Sequence, residues 1–186
     1  MKTVLDSTVK TTWTIDPAHS ELVFKVKHLM ISNVTGRFKN FTVSAETDGD
    51  DFINAKGIKL VAEVNSIDTH NEQRDNHLRS ADFFDAENHP QLIFKATRYE
   101  VNGDDGKLTG DLSIRGITKS ITVNVEQGGI VKDPYGQTKA AFSVNGKISR
   151  KEFGLTWNAV TEAGGVVVAD EIKFQAEIQL VKQVLN

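Results

Sequence analysis

Along most of this chain apolar and polar residues alternate with a period of two. Ile58, Leu60, Ala62 and Val64 stand against Lys59, Glu63 and Asn65. Leu108, Gly110, Leu112 and Ile114 repeat the pattern, as do Ile121, Val123 and Val125. Phe142, Val144, Gly146 and Ile148 alternate with Ser143, Asn145, Lys147 and Ser149, and Ile172, Phe174, Ala176, Ile178 and Leu180 with Lys173, Gln175, Glu177 and Gln179. A period of two is that of a strand with one face buried. The first strand runs from Trp13–Ile15 to Leu22, Phe24 and Val26, bent at Asp16-Pro17 because proline has no ladder donor. Turns are expected at Gly36, Asp48–Asp51, Asn102–Gly106, Arg115-Gly116, Gly128-Gly129 and Asp133–Gly136. Asn145-Gly146 is a hairpin dipeptide by composition. The alternation stays in register through it, which predicts one strand with a close approach at Gly146.

One long stretch breaks the pattern: Arg74 to Phe94, RDNHLRSADFFDAENHPQLIF. Thr69 and Glu72 form a capping-box pattern that predicts a helix start, and Asp75 and Arg79 have the spacing of a surface ion pair. Leu78 and Ala81 are its clear apolar anchors. With no broad apolar stripe, such a helix lies on the surface or across an opening. The paired aromatics Phe83 and Phe84 suit a lid.

About eight strands, each apolar on one face, must bury those faces together. The expected fold is all-β with one short helical excursion, its strands closed as an antiparallel up-and-down barrel of about eight strands or stacked as a sandwich. One domain over residues 1–186 is expected, with residues 1–11 a loosely ordered leading segment. The expected inward set is Leu22, Phe24, Leu60, Phe94, Leu112, Ile114, Phe142, Val144, Ile148, Phe174 and Ile178. Small residues share that face (Ala62, Ala96, Gly110, Gly146, Ala176) and leave volume that larger neighbours either fill or line. A barrel of this size permits both a filled core and a hollow for one small ligand. A hollow lined this way suits a long apolar chain.

Composition narrows the function. With 186 residues, 39% hydrophobic and 25% charged, the chain is of ordinary globular composition. A net charge of −3 argues against a general nucleic-acid binder. The absence of cysteine excludes disulfides, thiolate catalysis and Cys-ligated metals. The leading MKTVLDSTVKTTW has no apolar core of a signal peptide. The expected location is therefore cytoplasmic, or periplasmic if a leader has been removed. No apolar run of about 18 residues predicts a membrane-spanning helix.

At the mouth of such a hollow, Arg74, His77 or Arg150 could meet a polar head. Arg150 is in phase with the inward face, and an inward arginine needs an anion or a paired carboxylate such as Asp68, Asp75 or Asp82. Arg74 and Asp75 fit either a head-group contact or an ion-pair network locking the lid. His70 and His77 lie two helical turns apart, too far to share a metal. Ser20 beside His19 faces the opposite side of its strand, and no nucleophile elbow or phosphate loop occurs. No catalytic residue, metal or cofactor is expected.

Four blocks resemble the YceI-like family of bacterial lipid-binding proteins, also called polyisoprenoid-binding proteins. They are Asp16-Pro17-Ala18-His19-Ser20 through Gly36-Arg37-Phe38; Asp68-Thr69 with Arg74-Asp75-Asn76-His77-Leu78-Arg79-Ser80 and Asp82-Phe83-Phe84-Asp85; His89-Pro90 with Ile93-Phe94 and then Leu108 to Lys119; and Ser149-Arg150 with Phe153-Gly154-Leu155. The resemblance implies a lipocalin-like barrel holding an isoprenoid, quinone or fatty-acid derivative, no catalysis, and a homodimer. The inward apolar set would contact the tail, and Arg74, His77, Leu78, Phe83, Phe84 and Arg150 the head and lid. The alternatives are a filled barrel working through its surface as a dimeric stress or interaction protein, and a lipid-modifying enzyme.

Overall fold

The computed structural model describes residues 9–162 and 164–184. Eleven strands and one α-helix follow in order: β1 (Lys10–Ile15), β2 (Glu21–His28), β3 (Ser32–Phe38), β4 (Phe41–Asp48), β5 (Asp51–Glu63), β6 (Ile67–Asp68), α1 (Glu72–Arg79), β7 (Gln91–Asn102), β8 (Asp105–Ile114), β9 (Ile117–Lys132), β10 (Thr138–Ser149) and β11 (Val168–Lys182). All pairings are antiparallel. Eight strands close a barrel in the order β1-β4-β5-β7-β8-β9-β10-β11, the seam being Trp13–Ile15 against Leu180–Lys182.

The barrel forks at β11. Its C-terminal end pairs with β1, while Val168–Glu177 pairs with β2, so β2, β3 and β6 leave the closed ring as a flap. The cause is local. Pro17 lacks a donor, and the Asp16 carboxylate caps a single 3-10 turn by accepting from Ala18 N. The chain leaves one half of β11 and rejoins the other, held by Ser20, whose Oγ accepts from Gln179 N.

Four buried clusters mark out the interior, one of them Leu108, Val123 and Val125 on β8 and β9. Trp13, Phe52, Ala45, Ala140 and Leu180 fill one end, where Trp13 Nε1 donates to Thr47 Oγ1. Phe83, Phe153, Leu155 and Ile114 cluster at the other. Phe38 and Ile67 of the flap pack with Ala62 of β5, with Leu78 and Phe84 of the lid against them.

Several local expectations need correction. Gly36 is not a turn; it lies inside β3 opposite Phe24. The reversal sits at Leu29-Met30, both in the left-handed region at φ 52° and 59°. Gly128-Gly129 is a bulge within β9, where Ala141 pairs with Gly129 and Phe142 with Gln127. Asn71, not Thr69, caps α1, its Oδ1 accepting from Arg74 N. Asp75 and Arg79 do not pair, because Asp75 is buried and Arg79 donates to the carbonyls of Asn65 and Ile67. Ala81 is exposed, and Ala86 takes the buried place. β10 does run straight through Asn145-Gly146, as the unbroken alternation implied. Lys10 and Thr11 belong to β1, so the loosely ordered segment expected over residues 1–11 does not extend to them; residues 1–8 lie outside the described range.

Candidate functional site

The barrel interior is hollow, and the reason lies in pairs of aromatic and glycine residues on neighbouring strands. Phe174 of β11 pairs with Gly146 of β10, and Phe24 of β2 with Gly36 of β3. A Cβ built on Gly146 would stand 2.6 Å from Phe174 Cζ, and one on Gly36 2.3 Å from Phe24 Cζ. Gly110 of β8 lies the same way under Phe94 of β7, with its Cβ position 2.5 Å from Cζ. The missing side chains let the rings lie against the wall and not project to the axis. The small residues therefore open the bore by flattening their neighbours; they are not themselves the void.

Space for the centre of a water-sized sphere amounts to about 260 Å³, and the exposed wall is apolar throughout. All eleven expected inward residues line it: Leu22, Phe24, Leu60, Phe94, Leu112, Ile114, Phe142, Val144, Ile148, Phe174 and Ile178. On β11 the lining runs from Val168 to Leu180, a wall of roughly 40 Å at about 3.3 Å per residue. A strand tilt of ~40° leaves roughly 30 Å along the axis. Averaged over that length, the volume gives the sphere's centre a radius of ~1.7 Å, or a bore of ~3 Å radius once the ~1.4 Å sphere is added. A carbon chain, whose atoms make contact at about 1.9 Å from their centres, fits singly and not doubly.

The lid closes the end away from Trp13. Leu78 of α1, with Phe83 and Phe84 after it, lines the channel. Its polar groups face outward or tie the segment down. Asp75 accepts from both the amide and the hydroxyl of Thr69, at 2.9 and 2.6 Å. Arg74 donates from Nε to Thr69 Oγ1 and from Nη2 to Thr69 O. Arg74 thus belongs to the hydrogen-bonded anchor of the lid and does not line the channel. His77 also lies off the channel, its Nε2 2.8 Å from Asp82 Oδ2 and its ring against Phe83 and Trp157.

Arg150 does reach the lumen, but only with its stem. The residue is 2% exposed, and its guanidinium donates to four backbone carbonyls, Ala169, Leu155, Trp157 and Val168. Among the described residues no carboxylate comes within ion-pair distance of it, so the expected pairing with Asp68, Asp75 or Asp82 is absent. Burial pushes this guanidinium below its usual value, opposed by the charge of Asp170. Arg150 staples the loop 154–167 over the barrel end, helped by Asn158, whose Oδ1 accepts from Ala159, Val167 and Val168. Arg115, in the β8–β9 turn, holds the lid by donating to Phe83 O at 2.7 Å.

Other lining residues escaped the sequence reading, among them Phe38, Phe52, Tyr99 and Leu155. Phe38 and Phe52 followed supposed turn residues and so carried no strand phase. Tyr99 lies beyond the β7 register shift. Leu155 sits in a loop with no period at all. Among the described residues no cluster of three His, Asp or Glu side chains forms a metal site, and no helix is long and apolar enough to cross a membrane.

Comparison with known proteins agrees with this architecture. The YceI-like domain model matches residues 13–180. A UPF0312 protein of Staphylococcus epidermidis is 40% identical over 170 residues, 91% of this chain and 96% of the relative. The crystal structure of the Campylobacter jejuni YCEI protein is 34% identical, with a TM-score of 0.72 over 86% of this chain and 91% of that one. A polyisoprenoid binding domain from Saccharophagus degradans shares the fold at 15% identity, with a TM-score of 0.66 over 92% of this chain and 98% of that domain. A closed eight-stranded barrel with a forked seam and a family match along nearly its whole length places this chain in the YceI-like family.

Proposed function

We propose that this protein holds the hydrocarbon tail of one long-chain amphiphile, an isoprenoid or a related lipid, inside the barrel and carries it without converting it. The observation that supports this most is the hollow itself: about 260 Å³ of space whose wall is apolar throughout and follows β11 from Val168 to Leu180. A sugar or nucleotide would find no polar partner there. The polyisoprenoid-binding domain from Saccharophagus degradans has the same fold, which favours a branched chain among apolar ligands. The head leaves at the lid, because the opposite end is packed around Trp13.

Energetics set the length of the guest. Burying a five-carbon isoprene unit contributes at most about 4 kcal/mol at ~0.8 per carbon. Association costs ~4–15 kcal/mol. Several units must therefore enter before binding is tight, and the length of the channel accommodates several. The test is displacement of an environment-sensitive apolar dye by polyprenols of increasing length. Affinity should rise with each added unit and then level off where the chain outgrows the barrel. Absence of saturable displacement at any length would overturn the reading.

A further inference from the structure

Two features of the β2–β3 hairpin do no work in the barrel. The first is its tip. Leu29, Met30 and Ile31 are exposed, Ile31 at 86%. Leu29 and Met30 occupy left-handed conformations that a two-residue turn normally gives to asparagine or glycine. Beside them a second hairpin exposes Val160 and Val166, which are bridged to each other just below its turn. The two hairpins are joined by Leu29 N donating to Val167 O and by the pairing of His28 with Val168. Val26 and Val168 line the channel, so the patch continues the channel wall to the outside.

The second feature is charge. No acidic residue occurs between Glu21 and Glu46, while Lys25, Lys27, Arg37 and Lys39 fall in that interval, in a chain whose net charge is −3. All four are exposed. On the outer face Lys25 lies directly opposite Lys173, and Lys173 directly opposite Lys147. Like charges laid across adjacent strands oppose folding. Only Lys147 has an ion-pair partner among the described residues, Glu171 at 3.6 Å. The single acid of the neighbouring loop 154–167 is Glu162.

We propose that the Leu29–Ile31 tip and the adjoining Val160 and Val166 dock into an anionic phospholipid bilayer, with Lys27 and the Lys25–Lys173–Lys147 row binding the head groups. The inference rests on the lipid-carrier reading for its purpose but not for its test. Lys27 trails the tip by roughly 7 Å and Lys25 by roughly 13 Å at strand spacing. Interfacial segments enter a bilayer by about 5–10 Å, which puts the tip among acyl chains and Lys27 at the phosphates. The patch is too small for a second copy: a few hundred Å² of aliphatic surface against the ~800 Å² each partner buries in a stable interface. A membrane takes up two projecting points; a protein partner needs a face.

The test is flotation of the full chain with vesicles of phosphatidylcholine alone or of phosphatidylcholine with one quarter phosphatidylglycerol. Binding should need the anionic lipid and should fall in high salt. Replacing Lys25, Lys27 and Lys173 together with glutamine should weaken it about a hundredfold, at roughly fivefold per lysine. Met30→Ser with Ile31→Ser should weaken it about tenfold or more. The emission of Ile31→Trp, taken as a difference from the parent protein, should shift to the blue on vesicles and be quenched by acyl-brominated lipid. No variant should unfold at a lower temperature than the parent, since none of these side chains is in the core. Failure to float with anionic vesicles, or flotation unchanged in both sets of variants, would overturn the proposal. A dimer dissolved by Met30→Ser with Ile31→Ser, without vesicle binding, would overturn it in favour of a second copy. Solvent extraction of the same preparations keeps the two readings apart: docking without any extractable lipid leaves the bilayer site standing and removes the carrier function.

Discussion

Replacing Gly146 with valine should close the channel at its middle while leaving the barrel folded. Phe174 lies halfway along the β11 lining, six residues from Val168 and six from Leu180. A first carbon on residue 146 would stand 2.6 Å from Phe174 Cζ and 3.2 Å from both Cε atoms. Ordinary contact begins near 3.4 Å, so Gly146→Ala alone requires the ring to retreat by about 0.8 Å, and valine displaces it from the wall. Gly146 has no positive φ, so the backbone accepts either residue. Removing a strand glycine stabilises by about 0.5–1 kcal/mol, and overpacking costs about 1–3. The net change in unfolding free energy should stay within ~2 kcal/mol. Binding should respond far more. A ring standing in a bore of ~3 Å radius halves the wall a chain can reach. Losing two isoprene units removes up to about 8 kcal/mol of burial. Even a quarter of that, about 2 kcal/mol, is roughly a thirtyfold loss in affinity. The assay is dye displacement by a polyprenol length series on the parent protein, Gly146→Ala and Gly146→Val, beside urea unfolding without ligand. The length at which affinity stops rising should shorten stepwise across the three proteins. An unchanged length dependence in a folded Gly146→Val protein would refute the account of how the bore is kept open.

Arg150→Met should strip the donor from the carbonyls of Leu155, Trp157, Val168 and Ala169, at a cost of about 3 kcal/mol or more in urea unfolding. Limited proteolysis should then cut first within the loop 154–167. Asp75→Ala leaves the Thr69 amide and hydroxyl without their acceptor and should cost about 2–3 kcal/mol, with faster amide exchange over Glu72–Arg79. Asp16, held at about 2 by a hydrogen bond from Lys139 and a second from His19, contributes stability at neutral pH. Its pKa is depressed by folding, so that contribution is complete above the ordinary value of 3.8 and is lost as pH falls toward 2. Asp16→Asn should flatten the acid limb of the stability curve in that window, and carboxyl titration of Lys139→Met by NMR should show Asp16 rising toward its ordinary value.

The barrel was legible because strand phase is local: knowing that Phe142, Val144 and Ile148 share a face needs only their spacing, and the closed sheet puts all such faces on one lumen. The fork was only half legible. Pro17 announces a bend, but that β11 serves β1 at one end and β2 at the other is a pairing between residues 140 or more apart in sequence. Turn chemistry misled where the residues were unusual. Gly36 serves as a seat for Phe24, and Leu29-Met30 makes a turn from residues that carry no turn signal. Arg150 shows the limit most clearly. Its phase correctly placed it at the lumen, yet its acceptors are main-chain carbonyls of a loop and of the start of β11, which no side-chain pattern encodes. The lid anchors were misassigned for the same reason: Thr69 and Asp75 bond each other across the start of α1, where composition suggested a cap and a surface pair.

The most direct measurement is native mass spectrometry of the protein purified without detergent from the cell that makes it, followed by solvent extraction and weighing of what is released. An apolar bore wide enough for a single chain predicts one lipid per barrel, with a hydrocarbon tail of several isoprene units or equivalent length. A population weighing only its polypeptide, which also refuses polyprenols added afterwards, would mean that the hollow between Trp13 and the lid holds no guest.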